Sequence, residues 1–274
     1  MTDTHAPAQP SQPHLPQPSQ PAAPAPLDLS EKGGARNGQP QRSDRRLFMQ
    51  LQAFTGCHHP EILEQTLTRA GIEGVLYEDL NDPRGVGLLT MSESPDHFIT
   101  KVRPIFNTGP FGSLTPKPEY AMVGRTYALG YEPNLEDWLL QRPRRAVLDP
   151  QCQWGVWYPL RRTGAFSQLS GQEQGQILRE HGIIGRQFGD AGLASDVRLA
   201  CAGLDKNDND FVIGLIGKEL FPLSALVQAM RPTQQTSKYI QNMGPFFVGR
   251  ALWRSAAPAA PPPPAAPAAR PQGA

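Results

Sequence analysis

The sequence predicts an α+β fold of two tandem ferredoxin-like repeats, of the dimeric α+β barrel type. Between residues 45 and 253, the order strand, helix, strand, strand, helix, strand occurs twice. The ends of the 274-residue chain differ in composition: residues 1–44 are rich in Pro, Gln, Ala and Ser, and residues 254–274 are dominated by Ala and Pro. Neither end offers enough apolar surface to offset the entropy of ordering, so both are predicted to be disordered tails.

The first repeat is predicted to span residues 45–145. Its apolar periodicity and turn residues predict strands at 47–55, 74–80, 85–91 and 120–129, and helices at 60–70 and 95–106. Pro60 suits the first turn of a helix, where its missing N–H has no partner to lose. At the end of this repeat, Asn134 is predicted to cap a short helix that carries Leu135, Trp138 and Leu139, followed by a basic segment at 142–145.

The second repeat is predicted to span residues 146–253, with strands at 154–160, 196–204, 211–216 and 246–252 and helices at 171–181 and 223–230. Ser170 and Glu173 form a capping box that begins the first helix. Ile177 and His181 share one face at i, i+4, and Gly182 is predicted to end the helix. His181 is therefore expected to lie in the last turn and to face inward.

His181 admits two interpretations from this segment alone. A neutral imidazole held rigidly on a helix can serve as an axial ligand of a haem iron. A histidine in the last turn of a helix is also favoured for a purely structural reason, because its N–H groups can cap free carbonyls and its charged form interacts with the helix dipole.

Other residues of the second repeat can carry chemistry. Tyr158 lies on an aromatic strand that ends in two arginines, including Arg162; a tyrosine beside a redox cofactor can lose a proton and an electron, and arginines bind carboxylates. The alternative is an ordinary strand with a solvated basic end. Arg231 and Thr236, together with Arg162, could bind the carboxylates of an acidic ligand.

Asp196 and Arg198 fall on one face of the predicted strand 196–204. A surface ion pair explains them as well as a guanidinium placed over a ligand pocket.

Charge and composition exclude several classes of protein. The net charge of +1 gives no electrostatic basis for nucleic acid or anionic membrane as the main partner. No apolar run approaches the ~20 residues needed to span a bilayer, and no signal peptide is evident, so a cytoplasmic protein is expected. The three cysteines lack metal-site spacing, and Cys57, Cys152 and Cys201 are expected to be buried thiols rather than part of a metal site around Cys57-His58-His59.

Several motifs of the second repeat occur together in an order that resembles the chlorite dismutase and coproheme decarboxylase superfamily. These motifs are Tyr158-Pro159, Arg179-Glu180-His181-Gly182 with Gly185-Arg186, Gly203-Leu204-Asp205, Met230-Arg231 and Gly244-Pro245-Phe246-Phe247-Val248-Gly249. The resemblance implies a haem protein, usually a homopentamer, in which a histidine at the position of His181 holds the iron.

In the decarboxylase branch of this superfamily, coproheme is both substrate and cofactor, and hydrogen peroxide is the oxidant. The resemblance implies that a tyrosine radical at Tyr158 removes two propionates to give haem b. Arg162 stands where that branch has a lysine, Thr236 where it has a propionate-binding serine, and Arg231 where it has a propionate-contacting arginine.

On the distal side of the haem, opposite the iron-binding histidine, chlorite dismutases have an arginine and many decarboxylases a glutamine. Here Asp196 or Arg198 takes that position, depending on the alignment. The resemblance therefore implies a coproheme decarboxylase, with a chlorite-decomposing or peroxidase-like enzyme as one alternative and a non-catalytic haem or porphyrin carrier as another.

Overall fold

The computed structural model describes residues 26–256, so the predicted tails lie outside it except for residues 26–44 and 254–256. The N-terminal half contains seven strands: β1 (Glu31–Arg36), β2 (Gln39–Ser43), β3 (Phe48–Thr55), β4 (Gly74–Asp79), β5 (Val86–Ser92), β6 (Thr115–Pro116) and β7 (Met122–Arg125). Its helices are α1 (Pro60–Ala70), α2 (Arg103–Asn107) and α3 (Gly109–Gly112), with a π-helical turn at Phe98–Val102 and a short 3-10 turn at Pro118–Tyr120.

A π-helical turn (Asp137–Gln141) and helix α4 (Arg142–Leu148) connect the halves, and α4 crosses the predicted boundary between residues 145 and 146. The C-terminal half contains β8 (Trp154–Arg162), α5 (Gly164–Ser167), α6 (Gly171–Asp190), β9 (Ser195–Ala200), β10 (Phe211–Gly217), α7 (Leu220–Met230), a π-helical turn (Gln235–Tyr239), β11 (Ile240–Met243) and β12 (Phe247–Arg254). The predicted order of strands and helices is confirmed in both halves.

Eight of the strands close a ring by antiparallel pairing, in the order β8, β10, β9, β7, β3, β5, β4 and β12. Each half supplies four of these strands, which gives the barrel predicted for paired ferredoxin-like repeats. The interior is one apolar core shared by both halves, with Leu51, Tyr77, Trp157, Leu199 and Phe247 among its members. Helices α1, α6 and α7 pack on the outer surface of the barrel in separate apolar clusters, whereas α4 contributes Val147 and Leu148 to the interior cluster.

Two glycines let large aromatic side chains lie flat against neighbouring strands inside the barrel. A Cβ on Gly214 would stand 2.4 Å from the ring of Trp157, and a Cβ on Gly87 would stand 2.3 Å from the ring of Phe247. Both distances are far below van der Waals contact, so each ring occupies the space where a side chain would begin. The Trp157 contact holds β8 against its partner β10, whereas Phe247 of β12 reaches past β4 to β5 inside the barrel.

Part of the predicted N-terminal tail is ordered. β1 and β2 pair as a hairpin within residues 31–43, where the composition predicted disorder. Side chains anchor this hairpin: Gln41 donates to the carbonyl of Glu132 and accepts from the Leu135 N–H, and Glu31 accepts from the Ala128 N–H at 2.9 Å. Local composition indicates only how much apolar surface a segment can bury by itself. The β1–β2 hairpin is instead ordered by contacts with residues almost a hundred positions away in the chain.

The predicted end of the histidine-bearing helix is wrong. The capping box at Ser170 and Glu173 is confirmed, but α6 continues through Gly182 to Asp190, so His181 lies in the middle of the helix and not in its last turn. Contacts of α6 with α7 and β9 offset the low helix propensity of glycine. The structural explanation for His181 as a C-terminal capping residue is thereby removed.

Cys201 is buried and donates to the carbonyl of Asn209, but Cys57 and Cys152 are half-buried, which corrects the expectation of three buried thiols. Across residues 26–256, no cluster of three or more His, Cys, Asp or Glu side chains is arranged to hold a metal ion. Within the same range, no helix has both the length and the apolar character to cross a membrane.

Candidate functional site

The candidate site lies on the outer face of the sheet formed by β8, β9 and β10. Ile213 on β10 pairs with Tyr158 on one side and with Arg198 on the other. Directly paired residues project to the same face, so Tyr158 and Arg198 stand in one row two strands apart. Asp196 and Arg162 lie on the same face by the alternation of their strands. α6 and α7 pack over this face, and α6 carries His181.

His181 is half-buried on the side of α6 that meets the C-terminal segment after α7. Its Nδ1 lies 3.5 Å from the hydroxyl oxygen of Thr233, and that hydroxyl donates to the carbonyl of Met230 at 2.7 Å. With the Thr233 proton donated to Met230, the hydroxyl oxygen can accept a proton carried on Nδ1, and in that tautomer Nε2 keeps its lone pair. Burial, followed by the nearby charges of Arg198 and Arg162, lowers the pKa of His181 to about 4.

Arg162 reaches this region from the end of β8. Its guanidinium lies between two rings, 4.5 Å from the centre of Phe166 and 4.7 Å from that of Phe211. Burial lowers its pKa, and its Nε is buried without a hydrogen-bond partner among the described residues. A buried guanidinium N–H without an acceptor is costly, so this donor is available to an anionic ligand.

Asp196 and Arg198 form an ion pair, with 2.8 Å between Arg198 Nε and Asp196 Oδ2. The N–H of Arg198 Nε is not aligned with that oxygen and has no hydrogen-bond acceptor in the described part of the chain. Burial raises the pKa of Asp196, but Arg198 and Arg142 outweigh it and the net shift is downward. Asp196 is therefore a carboxylate whose negative charge is already balanced by the two arginines.

Tyr158 is 8% exposed and stacks on Phe246, with ring centres 4.5 Å apart. Burial, and to a lesser degree the charge of Asp196, raises its pKa, so the phenol keeps its proton at neutral pH. The charge of Arg231 acts in the opposite direction and lowers the pKa of this phenol. Arg231 is exposed at the end of α7.

Thr236 follows in the next turn, and the hydroxyl oxygens of Thr233 and Thr236 lie 3.3 Å apart. Thr236 therefore adjoins the residue that contacts His181. All seven candidate residues lie in or beside one region of the C-terminal half, although they come from five separate segments.

Four residues of this region were not assigned to the site from the sequence: Tyr127, Trp138, Arg142 and Thr233. Tyr127 follows β7 and packs on Phe211, with 5.7 Å between ring centres. Arg142 donates to the Asp196 carboxylate at 2.6 Å. Their positions depend on the closure of the barrel, because Tyr127, Trp138 and Arg142 come from the segment that connects the two halves. Of these four residues, only Thr233 had a signal in the sequence, because its hydroxyl lies three residues before that of Thr236.

The structure is thus an α+β barrel of two ferredoxin-like halves. Its C-terminal half carries the candidate site, in which a histidine-bearing helix covers a face with arginines and a buried tyrosine. The family model described as chlorite dismutase matches residues 106–252, just over half of the chain. The chain belongs to the chlorite dismutase family.

Two solved structures illustrate the shared fold. A protein described as a novel heme-binding protein from Thermus thermophilus superimposes with a TM-score of 0.59 at 16% identity, over 76% of this chain and 91% of that one. Chlorite dismutase from Candidatus Nitrospira defluvii, solved in complex with imidazole, gives a TM-score of 0.60 at 11% identity, over 77% of this chain and 92% of that one.

Proposed function

We propose that this protein binds an iron porphyrin, haem b or coproheme, with His181 as the axial ligand of the iron. The contact between His181 Nδ1 and Thr233 carries this proposal. A histidine ligand needs a free lone pair on one nitrogen and an acceptor for the proton on the other, and a hydroxyl oxygen beside Nδ1 supplies the acceptor. Burial keeps the ring neutral at physiological pH, which is the protonation state that binds a metal.

The donors around His181 fit the acidic side chains of a porphyrin. Arg162 has a buried N–H without an acceptor among the described residues, Arg231 brings a second positive charge near Tyr158, and Thr236 adds a hydroxyl. Apolar side chains of α6, α7 and the sheet adjoin these donors, among them Ile184, Ile213 and Met230. Guanidinium and hydroxyl groups at the edge of an apolar wall match a ligand with a flat apolar body and carboxylates at its margin.

For the reaction, we propose oxidative decarboxylation of coproheme by hydrogen peroxide. For each propionate, the carboxylate, one hydrogen peroxide and one proton give a vinyl group, carbon dioxide and two water molecules. The bound iron porphyrin would supply the reaction with hydrogen peroxide, which takes up the electrons removed from the propionates. With the porphyrin bound, Tyr158 would give up an electron and its phenolic proton and would regain both as a hydrogen atom from the propionate. The second electron of the propionate would pass to the oxidised iron porphyrin as carbon dioxide leaves. Its burial and raised pKa keep the phenol protonated between turnovers.

A chlorite-decomposing or peroxidase-like enzyme is the second candidate, and Arg198 favours it. Its Nε carries an N–H without an aligned acceptor, within the described residues, on the strand β9 that α6 contacts. A guanidinium donor aimed at an iron ligand would stabilise an anionic oxidant such as chlorite. The same arginine would also stabilise the anion of hydrogen peroxide, so measured turnover is what distinguishes the two candidates.

The test loads the purified protein with iron coproporphyrin, adds hydrogen peroxide, and follows the porphyrin mass. Loss of two carboxyl groups is expected, with retention of the Soret shift that reports iron ligation. Tyr158→Phe should keep the Soret shift and slow decarboxylation by at least about a hundredfold, a common cost of losing a positioned proton donor. Tyr131→Phe, at a tyrosine that is 70% exposed, is the matched control and should react as the unchanged protein does.

His181→Ala should abolish the Soret shift, and an unchanged spectrum would refute its role as ligand. Oxygen release from chlorite without decarboxylation would replace the first candidate by the second. Tight binding of porphyrin without either reaction would identify a carrier and overturn the enzymatic proposal.

We also propose a homo-oligomer, with the pentamer as the expected size, to be measured by light scattering of the eluted protein.

A further inference from the structure

Arg198 lies in a cluster that the proposed porphyrin contacts do not require. Its neighbours are Asp196 on the same strand, Arg142 at the start of α4, and Trp138 in the π-helical turn before α4. The two arginines share a single carboxylate and a single indole ring. We call these four residues the distal cluster.

Arg142 donates two hydrogen bonds to Asp196. Its Nη2 donates to the Asp196 carboxylate at 2.6 Å, and its Nη1 donates to the Asp196 main-chain carbonyl at 3.1 Å. A bidentate contact from one guanidinium to both the side chain and the backbone fixes the carboxylate relative to β9. Asp196 Oδ1 faces Arg142, whereas Oδ2 faces Arg198.

Trp138 forms the other side of the cluster. The centre of its ring lies 4.6 Å from the guanidinium carbon of Arg142 and 5.3 Å from that of Arg198. Its Nε1 donates to the carbonyl of Tyr127 at 3.0 Å, so the ring cannot turn without breaking a hydrogen bond. Both guanidinium groups are therefore held between a fixed ring and a fixed carboxylate.

The space beside Arg198 is nearly filled. The crevice that Arg198 shares with Tyr127, Trp138 and Arg142 has a cavity volume of about 10 Å³, which admits no more than one water molecule. A guanidinium is much larger than water, so Arg198, whose side chain is 35% exposed, has no room to move further into this crevice. Packing and charge thus favour the same orientation of Arg198.

We propose that Arg142 and Asp196 are positioning residues, which with Trp138 hold the Arg198 guanidinium in one orientation over the ligand-binding side of the iron. This inference rests on the proposed function, in which His181 holds the iron. Asp196 neither binds porphyrin nor accepts a proton; it orients Arg198. A fixed donor stabilises an anionic iron ligand without having to be ordered at the moment of binding.

The first measurement uses protein without porphyrin. The order parameter of the Arg198 Nε–H bond, from nitrogen relaxation, is expected near the rigid value of about 0.85 in the unchanged protein and below about 0.6 in Asp196→Asn. Arg142→Lys keeps the charge but loses the bidentate grip, and should mobilise Arg198 as well. Arg145→Gln is the matched control, because Arg145 lies on the same helix and pairs with Asp137 at the surface; it should leave Arg198 rigid.

The second measurement uses ferric protein loaded with haem and cyanide as the anionic probe. Dissociation of cyanide should be about tenfold faster in Asp196→Asn and in Arg142→Lys, a typical effect of losing a group that orients a neighbour of a metal ligand. Arg145→Gln should show the rate of the unchanged protein. Arg142→Lys serves as the second test if Asp196→Asn does not fold.

The outcomes separate the two proposals. If Arg198 stays rigid in both variants, or cyanide leaves both at the unchanged rate, the positioning role is refuted. If Arg198 becomes mobile in the variants but the unchanged protein takes up no porphyrin, the distal cluster still orients Arg198 and the proposed function is the part that fails.

Discussion

The pKa of His181 makes a prediction about folding that does not depend on any bound porphyrin. An imidazole with a pKa of about 4 in the folded protein and 6.5 in the unfolded chain binds more protons when unfolded at every pH between these values. The free energy of unfolding therefore falls as the pH drops from 6.5 to 4, and this contribution is level above the window.

The size of the effect follows from the two pKa values. Between pH 7 and pH 4.5 they correspond to about 2 kcal/mol of unfolding free energy, after a discount for the partial exposure of the ring. The substitution His181→Asn removes the titration and keeps an N–H donor for the contact with Thr233. Its unfolding free energy should change by about 2 kcal/mol less than that of the unchanged protein over the same interval.

The assay is urea unfolding of porphyrin-free protein at both pH values. Burial also lowers the pKa of His97, but His97 is present in both proteins and cancels in the difference between them. Equal pH dependence in the two proteins would refute the reasoning, because it would mean that His181 titrates as an exposed histidine does. A neutral, buried imidazole could then no longer be assumed at the candidate site.

Three further predictions concern single contacts. Thr233→Val removes the oxygen beside His181 Nδ1 and should weaken haem binding about tenfold in a Soret titration. Ser170→Ala removes the capping box of α6 and should lower the unfolding free energy by about 1 kcal/mol in urea. Gly214→Ala places a methyl group against the ring of Trp157 and should cost about 1–3 kcal/mol, with a lower melting temperature by calorimetry.

Matched controls for these predictions lie in the same part of the chain. Ser237→Ala removes a hydroxyl that bonds the Thr233 carbonyl, and haem affinity should stay unchanged. Gly175→Ala adds a methyl group to α6 where nothing lies within 4 Å, so it should not destabilise the protein. If Thr233→Val binds haem as tightly as Ser237→Ala does, the hydroxyl does not support the ligand.

The sequence predicted the order of elements well because each element carries its own local signal. The first helix is a clear case: it spans Pro60–Ala70, as predicted, with Pro60 in its first turn, and Gly71 follows in a left-handed conformation. Strand β3 likewise runs from Phe48 to Thr55, one residue shorter than predicted. Such signals depend on neighbours a few positions away in the chain, so they can be recognised from the sequence alone.

The errors fall where distant contacts outweigh local preference. Gly182 is a poor helix former, yet α6 continues past it. The N-terminal hairpin is polar, yet Gln41 and Glu31 anchor it to the segment after β7. The predicted strand at 120–129 is ordered as a strand only from Met122 to Arg125, since Tyr127 leaves the sheet and packs on Phe211.

The sequence by itself determined the doubled fold and the family, and it predicted a set of site residues that includes Tyr158, His181 and Arg198. It left the orientation of these side chains open, because alternation along a strand tells only which residues share a face. Tertiary structure decided that His181 is neutral, half-buried and next to Thr233, since that state depends on packing against the segment after α7. It also decided the partners of Asp196, because Arg142 reaches it only when the connecting helix folds back against β9.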